Sequence, residues 1–82
     1  MTYGIVFERI REAGIPEDSY YAHIPALGLT THGAGIEGAR AAALDLLTAW
    51  LAEKREAGET IAAPSEILFS TVEVSEDALQ GA

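Results

Sequence analysis

The sequence predicts a small α+β domain: an antiparallel sheet with one long helix packed on one face. Three observations predict it. Short runs of β-forming residues alternate with period two in the first third of the chain and again at residues 67–74. A single amphipathic stretch runs from Ile36 to about Ala57. The length, 82 residues, makes one domain with a thin core.

The first run, residues 3–9, places Tyr3, Ile5 and Phe7 on one side and Val6 and Glu8 on the other, as a strand does. A helix over residues 5–13 remains the alternative there. Residues 14–19, Gly-Ile-Pro-Glu-Asp-Ser, read as a turn or loop. Tyr20, Tyr21, Ala22, His23 and Ile24 form a second strand, ended by Pro25, which has no N–H for a central ladder. Gly28 lets the chain turn, and Leu29, Thr30 and Thr31 return beside the second strand.

The helix is the clearest element. At 100° per residue, Ile36, Ala39, Ala43, Leu44, Leu46, Leu47, Trp50 and Leu51 fall within an arc of roughly 160°. Glu37, Asp45, Thr48 and Glu56 occupy the other side. Glu37 near the start, and Lys54 and Arg55 near the end, complement the helix dipole, and Gly58 stands at the C′ position. A connector carrying Pro64 follows, then a final strand over residues 67–74 and a frayed tail over residues 75–82. The order is β-β-β-α-β, or α-β-β-α-β if the first segment is helical. The whole chain reads as one domain with a core over about residues 3–74.

Charge narrows the function classes. Five basic and thirteen acidic side chains give −8, and six acids with no base follow Arg55. Arg9, Arg11, Arg40, Lys54 and Arg55 make no sequence patch of the kind that displaces phosphate counterions, so direct nucleic-acid binding is not expected. An acidic surface favours a basic partner and speeds encounter with it, although acidity also simply keeps a domain soluble. Cysteine is absent, which removes disulfides and thiolate metal sites. The start lacks a basic n-region, and no apolar run approaches the ~20 residues of a membrane span. A cytoplasmic location is the expectation.

One block carries a resemblance. Residues 20–28, Tyr-Tyr-Ala-His-Ile-Pro-Ala-Leu-Gly, are followed by Thr31-His32-Gly33 and a helix holding Ala39 and Trp50-Leu51. Gly58-Glu59 and Pro64-Ser65 come after it. In order and spacing this resembles the HicB-like antitoxin family over residues 20–65. The resemblance implies a degenerate ribonuclease-H-like βββαβ fold. It also implies a partner, a small basic HicA-type toxin that cleaves mRNA and whose RNA-binding surface the antitoxin covers. The chain departs from the family at the helix start. There the usual Gly-Asp-Thr-x-x-Glu-Ala becomes Gly33-Ala34-Gly35-Ile36-Glu37-Gly38-Ala39, so glycine replaces both capping side chains. Losing that box costs about 1 kcal/mol, and Gly38 up to about 1 more, so a late or movable first turn is expected. The C-terminal DNA-binding segment of many family members has no counterpart within these residues.

Candidate partner-binding residues are Tyr20, Tyr21, His23, His32 and Glu37. Tyr20 and Tyr21 point to opposite faces of their strand, so one is at least partly exposed, and tyrosine is favoured at interfaces. His23 reads as a strand residue at the sheet surface, and His32, in a glycine-rich corner, is the better functional candidate of the two histidines. Neither sits at metal-ligand spacing, and Glu8, Asp18, Asp45 and Glu73 come from different elements, so neither a catalytic site, a metal nor a cofactor is expected. Asp45 reads as a solvated charge and Trp50 as a core residue. The functional expectation is an antitoxin-type binding module. The alternative is a stand-alone homo-oligomeric domain, paired through its alanine-rich helix face and edge strands.

Overall fold

A computed structural model describes residues 1–61 and 67–77. The chain folds as a small α+β domain. β1 (Val6–Arg9), β2 (Ser19–Ile24) and β3 (Leu29–Ala34) form an antiparallel sheet in the order β1-β2-β3, and α1 (Gly35–Glu56) follows. The first element is therefore a strand, which closes the helical alternative for residues 5–13. Tyr3, Ile5 and Phe7 turn toward the core, as their alternation predicts. β2 ends at Pro25, where Leu27 and Gly28 donate to the carbonyls of Ile24 and Pro25 and close the turn into β3.

The helix lies across β2 and β3, and its axis-facing residues meet small side chains. Ala22, Ile24, Ala39 and Ala43 are wholly buried, with Leu47 and Ile10 nearly so. Alanines on both layers bring helix and sheet close, and Tyr3, Ile5, Phe7, Tyr20, Leu27, Leu29 and Leu46 pack around them. With so few fully buried side chains, each contributes a large share of the stability.

Four differences from the expected elements have physical causes. β3 runs three residues further than Thr31, through His32 and Gly33 to Ala34. The glycine there is a packing residue, not a strand breaker, because α1 lies directly against it. Second, α1 begins at Gly35 although Ala34, its N-cap, makes no side-chain bond. The Gly35 N–H is instead bonded to the Asp18 carbonyl, and the Asp18 carboxylate lies beside Gly35 at the positive end of the helix dipole. The β1–β2 loop thus supplies the stop that a capping box would have supplied.

Third, residues 67–74 form no strand. Ile67 lies near Gly4, just before β1, and Phe69 lies beside Ile5, Val6 and Phe7, but Leu68, Val72 and Val74 are largely exposed. Alternation encodes a strand's faces but not the edge it will pair with. Fourth, the outer part of the apolar arc lies off the sheet. Leu44 is 62% exposed, and Trp50 is half-buried beneath the Lys54 ammonium, 5.4 Å from its ring centre, outside the core cluster. A three-stranded sheet is too narrow to cover the full arc. The connector at Pro64 and the end of the tail lie outside the described residues. Ser75–Asp77, at the start of that tail, are exposed, with Glu76 and Asp77 in helical conformation.

The far end of α1 closes as its sequence predicts. Gly58 takes φ +73°, its N–H is bonded to the Arg55 carbonyl, and the Glu59 N–H is bonded to that of Lys54. This pair of bonds is the Schellman arrangement.

Candidate partner-binding surface

The sheet has two faces, and β2 sorts its residues between them. Tyr20, Ala22 and Ile24 face α1, whereas Tyr21 and His23 stand on the open face. The register then sets their neighbours. Tyr21 is opposite Glu8 on β1 and His32 on β3, and His23 is opposite Val6 and Thr30. The open face therefore carries a contiguous group of Glu8, Tyr21, His23, Thr30 and His32 across all three strands.

His23 is the centre of that group. Its Nε2 lies 2.9 Å from Glu8 Oε1 and its Nδ1 3.0 Å from Thr30 Oγ1. The carboxylate accepts, so Nε2 carries a proton. The Tyr21 and His23 rings are 5.7 Å apart and tilted by 36°. Both side chains are half-buried, while Glu8, Thr30 and His32 are exposed. The imidazole thus bridges β1 and β3 over β2 and holds a polar, partly aromatic platform whose outer edge faces solvent.

Of the five candidate contact residues, the fold brings together Tyr21, His23 and His32. Tyr20 packs against the core under the sheet, and Glu37 is exposed in the first turn of α1, in the other layer. Glu8 and Thr30 are the members that sequence reasoning did not single out for this surface. Only the cross-strand register reveals them, and a single sequence leaves register weakly specified.

The electrostatics are one-sided. Every described acidic side chain is exposed. Among the described residues, an ion pair joins Glu59 to Lys54 at 3.2 Å, and Glu8 is hydrogen-bonded to His23 at 2.9 Å. Glu12, Glu17, Glu37, Asp45, Glu53 and Glu56 stand without such a pair. Arg9 ends β1 and Arg11 lies in the β1–β2 loop, Arg40 stands in the first half of α1, and Lys54 and Arg55 close the far end of that helix, ~33 Å long, so the five bases are spread over three places. No group of three or more His, Asp or Glu among the described residues is placed to hold a metal ion. No described helix is long and apolar enough to cross a membrane.

The fold and surface define a class: a small acidic βββα domain with an open sheet face. Comparison with known proteins adds no family to that description, since no family model, curated protein or solved structure matches the chain.

Proposed function

We propose that the chain is a protein-binding module of the antitoxin type, which associates with a small basic RNA-cleaving protein and masks its RNA-binding surface. The observation that supports this most is the unneutralised acidic exterior. A net charge of −8 is spread over side chains that are all exposed where described and mostly unpaired. Such a surface attracts a basic protein and mimics the charge of the RNA that protein binds. The platform of Tyr21, His23 and His32 supplies what charge alone lacks, an aromatic and hydrogen-bonding centre, with the Glu8 carboxylate beside it. The module acts by occupying a surface and not by catalysis.

The test is co-expression with a small basic RNA-cleaving protein encoded beside this chain. Restored growth and a complex that survives purification support the proposal. Continued toxicity with no complex for any such neighbour removes it.

A further inference from the structure

The sheet has two outer edges, and they differ. β1 carries Glu8 and Arg9, and the chain's own Ile67 and Phe69 lie beside Gly4 and β1. β3 is the opposite edge, with no strand beside it among the described residues. Its six residues, Leu29–Ala34, include no proline and no acidic, lysine or arginine side chain. Each is matched one to one with a residue of β2, so β3 has no bulge. Charge, proline and bulges are the usual protections of a strand edge, and β3 has none of them. In a chain of net charge −8 it is a neutral line along which two copies can meet.

The ladder fixes which main-chain groups of β3 point outward. The Ile10 N–H is bonded to the Ser19 carbonyl, and the Gly35 N–H to that of Asp18. Bonding alternates along an antiparallel pair, so Tyr20, Ala22 and Ile24 turn their main-chain groups toward Gly33, Thr31 and Leu29. The N–H and C=O groups of Thr30, His32 and Ala34 therefore face away from the sheet. That set is symmetric about His32. A two-fold axis there pairs Thr30 of one copy with Ala34 of the other, and His32 with His32, so every outward donor meets an acceptor.

The same axis brings two helices together. α1 packs on β2 and β3. With strands ~4.8 Å apart, a helix above that pair stands about 5 Å from the axis and about 10 Å from its copy, which is helix-packing distance. Arg40, Leu44 and Leu51 lie on the flank of α1 toward Tyr3 and Ile5. At 100° per residue, Gly38, Ala42 and Leu46 then lie on the flank above the β3 edge, where glycine and alanine leave room for a second backbone. We infer that the chain forms a two-fold dimer through β3, with one continuous sheet and the two helices side by side on one of its faces. An isolated strand, from this chain or another, could satisfy the edge but would bring no second helix. The pairing uses the main chain of β3 and leaves Tyr21, His23 and His32 on the open face, so it does not depend on the proposed basic partner.

Sedimentation and residue-resolved amide exchange of the intact chain, from micromolar to millimolar concentration, test it. The mass doubles across that range. Over the same range the Thr30, His32 and Ala34 amides slow about tenfold or more, whereas those of Leu29, Thr31 and Gly33, already bonded to β2, change less. His32→Asp sets two carboxylates opposite each other at the axis and stays monomeric, with unchanged circular dichroism because His32 is exposed. His32→Thr keeps the main-chain bonds and still dimerises. A wild-type monomer at every concentration, or a dimer in which the three outward amides stay fast, would overturn the inference. So would a dimer that persists in His32→Asp or is lost in His32→Thr.

Discussion

Gly33 of β3 lies directly against the backbone of Gly38 in the first turn of α1. A methyl group added to Gly33 would stand 2.5 Å from the carbonyl carbon and oxygen of Gly38 and 2.6 Å from the Ala39 nitrogen. The helix therefore approaches the sheet closely enough that β3 has no room for a side chain at this point. This contact, with the Gly35–Asp18 bond, anchors a helix start that has no capping side chain.

Substituting Gly33→Ala forces helix and sheet apart at their tightest point. Overpacking against backbone has no flexible side chain to relieve it, so a loss of about 2–3 kcal/mol is expected. Urea unfolding followed by far-ultraviolet dichroism reads it as a lower midpoint.

Gly38→Ala has the opposite sign. The added methyl meets Gly33 and Ala34 at 3.7 and 3.8 Å, which is ordinary contact. Alanine is the better helix former by up to about 1 kcal/mol. A midpoint that rises by a few tenths to about 1 kcal/mol equivalent is expected, and a fall as large as that of Gly33→Ala would show that the close approach is misassigned.

The Schellman closure gives a third result. Gly58→Ala places a Cβ in a left-handed conformation at φ +73° with open space around it, so the cost is conformational and not steric. About 1 kcal/mol of stability is lost, and amide exchange quickens at Gly58 and Glu59, whose N–H groups close the helix.

On the open sheet face, Tyr21→Ala separates binding from folding. The ring is half-buried and lies outside the core cluster, so stability changes by less than about 1 kcal/mol. Affinity for the proposed basic partner falls about tenfold or more, as measured by calorimetry, whereas Tyr20→Ala lowers stability because that ring packs on the core.

The helix and its C-terminal stop were legible in residues 36–58 because 3.6-residue periodicity, dipole-matched charges and a terminal glycine all agree there. The second strand was legible from its aromatic residues and Pro25. Gly35 and Gly38 were misleading. Taken one at a time they count as a lost cap and a poor helix former, and their value lies in contacts between elements that no local window contains. The segment 67–74 shows the converse: its alternation is strand-like, yet pairing depends on an edge whose availability the pattern does not encode. The open-face group was half legible. Tyr21, His23 and His32 draw attention by residue type, while Glu8 and Thr30 join them only through register.

The proposed masking is tested most directly by titrating RNA cleavage by a candidate small basic RNA-cleaving partner with purified wild-type protein at low and at high salt. Masking of this kind gives stoichiometric inhibition at low salt that weakens as ionic strength rises, with Tyr21→Ala needing more protein at either. Cleavage that continues unchanged at saturating concentrations of the chain, with no complex by calorimetry, would contradict it.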